Sequence, residues 1–152
     1  HFDPERPGLE GIVRATFAVQ CLMRSDLSIK IGHELSQALS QVSMAGAKMY
    51  GEWTERFAEM VRAVIGTGEL SSDVDPTDAS DAIWAGVLGS HLLSAALHDN
   101  PYVRLARSWR VQLHYLLPRD AWPRFNTLLS RVVEDYAEAP GIGVNGLAAS
   151  SS

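Results

Sequence analysis

Apolar side chains return every three or four positions in block after block of this chain, while the two-residue alternation of half-buried strands is nearly absent. The spacing predicts an all-α protein of about six helices, bounded by recognisable start and stop chemistry. The first runs from Pro7 to Arg24. Ile12, Val13, Phe17 and Cys21, with Val19, Leu22 and Met23, make so much of its circumference apolar that it belongs at the centre. Asp26 is placed to cap a second helix through about Ser40, carrying Leu27, Ile31 and Leu35. "SMAGAK" (43–48) reads as a loop before the third helix, "MYGEWTERFAEMVRAVIGTGEL" (49–70). There Trp53, Phe57, Met60, Val61 and Val64 share one face, Glu52, Glu55, Arg56, Glu59 and Arg62 lie opposite, and "GTG" supplies the stop.

The polar connection "SSDVDPTDASD" (71–81) ends in the best-signalled boundary of the chain, with Asp75 as cap and Pro76 in the first helical position. The helix it starts, Pro76 to about His98, includes "AIWAGVLGSHLLSAAL" and has almost no polar face, so it must be covered on two sides. Asn100 and Pro101 break it. A fifth helix over 102–117 brings Leu105, Trp109, Leu113 and Leu116 into register, and Asp120 is placed to cap a sixth. That last helix carries Trp122, Phe125, Leu128, Leu129, Val132, Val133 and Tyr136, more than one narrow stripe, and with the fourth it predicts a two-fold homodimer interface. Residues 1–139 form one domain on this pattern. Residues 140–152, "PGIGVNGLAASSS" from Pro140 on, are a low-complexity tail with little to bury.

A length of 152 residues with 46% hydrophobic content suits a single core. The net charge of −5, without a basic stripe, removes the electrostatic footprint of nucleic-acid binding, so the chain alone is not expected to hold DNA. Cys21 has no intramolecular partner, which fits a reducing compartment and points to the cytoplasm. No apolar run reaches the roughly 18–20 residues of a membrane span.

Reactive chemistry is hard to find in the sequence. His91 and His98 stand seven residues apart without a Cys or acidic partner, so no metal site is expected, and a histidine satisfied in the core or an interface is the plainer account. "GSH" (89–91) lies inside a helix and forms no nucleophile elbow, and "GIG" (141–143) follows no strand, so neither a catalytic residue nor a nucleotide cofactor is indicated. Asp73, Asp75, Asp78 and Asp81 sit where capping and helix-dipole compensation explain them better than calcium does. What remains is a set of small residues in the fourth helix, Gly86, Gly89, Ser90 and Ser94. They either let another helix approach or leave room for a ligand. Mostly apolar walls with a few polar tips, here Tyr50, Trp53, Ser90, His91 and Gln37, suit a small amphiphilic molecule; core packing is the alternative for each residue taken alone.

The order "SDLSIKIGHEL", "YGEW" opening a helix, "GTGELSSDVDP" and "AGVLGSHLLS" before a helix with a central Trp resembles the C-terminal regulatory domain of TetR-family repressors, most closely the gamma-butyrolactone receptor branch. The resemblance spans residues 7 to about 138. Its most specific element is the Trp heading a helix, followed by G-x-L and D-x-D-P. It implies a helical bundle around a cavity for a lactone, butenolide or furan signal, homodimerisation through the last long helices, and no enzymatic activity. The family's ligand-contacting Trp falls on Trp53, with Phe57 one turn on, and the Tyr of furan-type receptors falls on Tyr50. A Gln of some of those receptors falls on Ser36, beside Gln37. A threonine used by a butenolide receptor falls on Gly86, a departure. The helix-turn-helix and its "YFHF" signature do not occur in these residues, so DNA contact is expected only through a domain that this chain lacks. The rival expectations are a plain dimerisation module, a pseudo-receptor for a different hydrophobic ligand, and, more distantly, a small all-α enzyme.

Overall fold

The computed structural model describes residues 8–24 and 44–138, apart from the side chains of 44–50, 53 and 138. Five α-helices occur among them: α1 (Leu9–Arg24), α2 (Met44–Gly66), α3 (Pro76–Leu97), α4 (Pro101–Leu116) and α5 (Trp122–Glu138). A 3₁₀ turn, Arg119–Ala121, leads into α5. The helix expected over 26–40 and the tail from 140 lie outside the described residues.

α1 buries Leu9, Ile12, Val13, Thr16, Phe17, Gln20 and Met23, an unbroken three-and-four spacing that faces the other helices. Its exposed side carries the Arg14–Glu10 pair one turn apart. The helix touches α2, α3, α4 and α5, so the expected central helix is central. Its start is tied down by Glu69 from the loop after α2. One carboxylate oxygen of Glu69 accepts from the Leu9 amide at 3.0 Å and the other from Arg124 of α5 at 3.2 Å.

α2 begins earlier than the sequence suggested: Met44–Lys48, expected as a loop, is helical. Met, Ala and Lys are good helix formers, and the single Gly46 costs only about 1 kcal/mol against that preference. The helix turns Phe57, Ala58, Val61 and Val64 inward and stops as expected. The Thr67 and Gly68 amides donate to Val64 and Ile65 carbonyls, and Gly68 takes a φ of 77° that a Cβ would disfavour.

The Asp75–Pro76 boundary forms as expected. Asp75 Oδ1 accepts from the amides of Thr77 at 2.9 Å and Asp78 at 3.0 Å, satisfying two donors that the helix cannot. α3 closes at His98 in the left-handed conformation, and Asn100 then caps α4 through the Tyr102 and Val103 amides. Asp120 does not cap α5; it lies inside the 3₁₀ turn. The breadth of apolar surface on α5 is accounted for within the chain. Phe125, Leu129 and Val132 are buried, and Trp122, Leu128, Val133 and Tyr136 pack partly buried against the same core. Large exposed apolar side chains lie instead at Leu92, Leu93 and Leu97 near the end of α3 and at Val111 and Tyr115 on α4. Among the described residues no helix is long and apolar enough to cross a membrane.

Candidate ligand-binding site

The inward stripe of α1 contains two polar residues, Thr16 and Gln20, both with no exposure at all. They are one helical turn apart, yet their surroundings treat them differently. Thr16 Oγ1 accepts from the indole N–H of Trp109 at 2.9 Å and donates to the Val13 carbonyl at 2.7 Å. Its hydroxyl is used in both capacities and closes the seam between α1 and α4.

Gln20 is not closed in this way. Its Nε2 lies 3.5 Å from Nδ1 of His91 on α3, the outer limit of a hydrogen bond, and its Oε1 has no partner. Oxygen and nitrogen of a side-chain amide are assigned from their partners. As placed, Nε2 faces the imidazole and Oε1 is the buried polar atom left unsatisfied. Such an atom costs about 1–3 kcal/mol unless something enters to meet it. Burial lowers the pKa of His91 from 6.5, so its imidazole is neutral at pH 7 and presents one donor and one acceptor.

Aromatic rings also join α2 to α3. Phe57 of α2, 3% exposed, meets Trp84 of α3 with ring centroids 5.6 Å apart, within the range of favourable ring contacts. Ser90, beside His91 in sequence, is buried. Ser80 donates from its hydroxyl to the Thr54 carbonyl at 2.8 Å and links α3 to α2. Elsewhere on the inward stripe of α1, Phe17 meets Tyr102 and Tyr136 in a ring cluster with centroids 5.0–6.3 Å apart. Burial, with the neighbouring Cys21 thiol, pushes the Tyr102 phenol up to about 12. That cluster is filled and neutral, a packed part of the core.

The residues singled out in the sequence fall into three groups. Phe57, Ser90 and His91 line the inner faces of α2 and α3. Trp53 and Tyr50 lie one and two turns before Phe57 on α2, and their side chains, with Ser36 and Gln37, are outside the described residues. Gly86 faces α4: a Cβ there would stand 2.5 Å from Ser108 Oγ and 3.0 Å from Gln112 Nε2. It is where α3 and α4 approach closely, and Gln112 bridges the crossing by donating to the Ala82 carbonyl at 3.1 Å. Gln20 and Thr16 were not among the expected site residues. The signal that finds them is a polar residue at an inward position of a strongly periodic apolar helix. Among the described residues no three His, Cys, Asp or Glu side chains gather as a metal site.

The described residues thus form an all-helical domain with a partly satisfied polar pair in its interior. The family model described as "Tetracyclin repressor-like, C-terminal domain" matches residues 27–109, and the chain belongs to that family. It is a regulatory domain, not an enzyme. The fold is shared with a solved gamma-butyrolactone receptor (ArpA like protein), at a TM-score of 0.66 and 21% identity over 84% of this chain. The match covers 63% of that receptor's length. No curated protein sequence gives a significant match.

Proposed function

We propose that this chain is the effector-sensing and dimerisation domain of a transcriptional repressor, and that its effector is a small, largely apolar signalling molecule of the gamma-butyrolactone, butenolide or furan type. The observation that carries this reading is the unsatisfied Gln20–His91 pair, set in an apolar interior whose fold is that of a gamma-butyrolactone receptor. Trp53, Tyr50 and Phe57 of α2 supply the wall on which a flat ring lies, Ser90 and His91 of α3 the polar tips, and Ser36 and Gln37 the edge. Gly86 faces α4 and lets α3 and α4 approach closely.

The mechanism is a population shift. α1 touches every other described helix, so a ligand wedged between α1, α2 and α3 favours one arrangement of α1 over another. That preference reaches DNA through a helix-turn-helix domain outside these residues, and it moves the equilibrium only by the ligand's differential affinity for the two arrangements. Two chains pair through the exposed leucines of α3, Leu92, Leu93 and Leu97, in a cytoplasmic homodimer.

The test is a titration of the purified chain with γ-butyrolactones of increasing alkyl length, followed by tryptophan emission and by sedimentation. Saturable quenching in a dimer is the expected result. A monomer at micromolar concentration refutes the pairing, and the absence of saturable binding across the series refutes the effector class.

A further inference from the structure

The first amides of a helix have no partner within it, and a Ser, Thr, Asp or Asn just before the first turn is the usual remedy. α1 lacks that remedy. Gly8 stands in the cap position, its carbonyl accepting from the Gly11 and Ile12 amides at 3.0 and 3.4 Å, and it has no side chain to offer. The Leu9 amide is met instead by Glu69, 60 residues further along the chain, at 3.0 Å. The missing side chain makes room for the substitute: a Cβ on Gly8 would stand 3.2 Å from the same carboxylate oxygen, Oε2. Oε1 holds Arg124 of α5 at 3.2 Å, and the Glu69 side chain is only 23% exposed. The loop that carries Glu69 is itself pinned. Leu70 and Val74 are buried, the Ser71 amide donates to the Leu116 carbonyl at 2.9 Å, and the Asp75 amide donates to the Tyr115 hydroxyl oxygen at 3.1 Å.

A cap supplied by the neighbouring residue travels with its helix and works in any arrangement. A cap supplied from another element works in one arrangement only, so this contact makes the docking of the first turn of α1 conditional on where the α2–α3 loop and α5 stand. A carboxylate that meets an amide and a guanidinium binds more strongly than a neutral acceptor, and its charge suits the positive end of the α1 dipole. We infer that Glu69 is a conformational latch, whose release lets the first turn of α1 open while the rest of the core stays folded. The latch stands apart from the receptor function proposed above. A shift of the end of α2 or of α5 against α1 bears on this carboxylate from one side, and a pull on the segment that enters α1 bears on it from the other.

The test is native-state hydrogen exchange of the wild-type chain, Glu69→Ala and Arg124→Met, read by NMR at several urea concentrations below the unfolding transition. Gly11 and Ile12 are the reporters. Their amides bond to the Gly8 carbonyl and not to Glu69, so they speed up only if the turn opens, whereas Leu9 loses its own partner in Glu69→Ala. In the wild-type chain both should exchange through an opening with a far weaker urea dependence than the amides of Trp109 and Leu129, which lie in the core. Glu69→Ala should speed both about tenfold, an ordinary effect of losing one hydrogen bond to a charged group, and the weak urea dependence should persist. Arg124→Met, which keeps the bond to Leu9, should act in the same direction by less. Glu69→Gln, which retains one acceptor oxygen without the charge, serves if Glu69→Ala does not fold, with the same direction expected. Gly11 and Ile12 rates unchanged by the Glu69 substitution, or an acceleration confined to Leu9, would show a hydrogen bond without a latch and overturn the inference. A wild-type first turn with the urea dependence of Trp109 would overturn it too, since α1 would then open only when the whole domain unfolds.

Discussion

Replacing Thr16 by Val makes the core more apolar at unchanged shape, and hydrophobic transfer alone predicts a small gain in stability. The structure predicts a loss. Thr16 Oγ1 is the acceptor for the indole N–H of Trp109, a side chain only 1% exposed, so Thr16→Val leaves a donor buried with no water to take it. Abandoning a buried donor costs about 1–3 kcal/mol, more than the apolar gain of exchanging a hydroxyl for a methyl. Trp109→Phe removes the donor at the same time as it shrinks the ring, and its cavity cost appears with or without Thr16. The double-mutant cycle separates the two contributions. Thr16→Val should cost about 2 kcal/mol in the wild-type background and close to nothing beside Trp109→Phe, a coupling of about 2 kcal/mol. Urea denaturation followed by far-UV circular dichroism gives all four stabilities, provided the m-values agree. A Thr16→Val variant as stable as the parent would refute the claim that this hydrogen bond closes the α1–α4 seam.

Other substitutions probe the remaining joints. Asp75→Ala should cost about 1 kcal/mol in the same denaturation assay, because it frees two amides at the start of α3; an unchanged midpoint would mean the cap is idle. Gly86→Val should cost about 1–3 kcal/mol by overpacking, since its Cβ would meet Ser108 Oγ at 2.5 Å, and Ser108→Gly should recover part of the loss; recovery failing entirely would place the clash elsewhere. His91 has a folded-state pKa below its ordinary 6.5 because it is buried, so the unfolded chain takes up its proton first. The stability contributed by keeping His91 neutral is present above pH 6.5, falls as pH drops through that value, and levels off below the folded-state pKa. His91→Gln should lack this segment of the pH–stability curve, and an unchanged curve would show that His91 does not titrate against folding.

The helix boundaries that a few residues decide were legible in the sequence. Asp75 followed by Pro76 set the start of α3, and "GTG" the end of α2, because capping and the left-handed turn depend on neighbours in the chain. The centrality of α1 followed from its apolar breadth. Met44–Lys48 was not legible, since Ser43 and Gly46 look like loop residues while the helical preference of their neighbours decides the outcome. The breadth of α5 was visible but not its cause: α1 and α4 cover it inside the same chain. Gln20 was hidden for a different reason. Periodicity places it inward, but counting apolar positions passes over it, and its significance depends on His91, 71 residues away in sequence. Gly86 illustrates the converse, a small residue compatible with a cavity or a close crossing until Ser108 is placed opposite it.

The central claim is that the interior of this domain takes a small neutral molecule at the Gln20–His91 pair. Native mass spectrometry of the chain purified from its own host tests it without a choice of probe. One small-molecule adduct per chain is expected, neutral, released on denaturation, and reduced or lost in Gln20→Met purified in parallel. Protein at its bare mass, or an adduct retained undiminished by Gln20→Met, would contradict it.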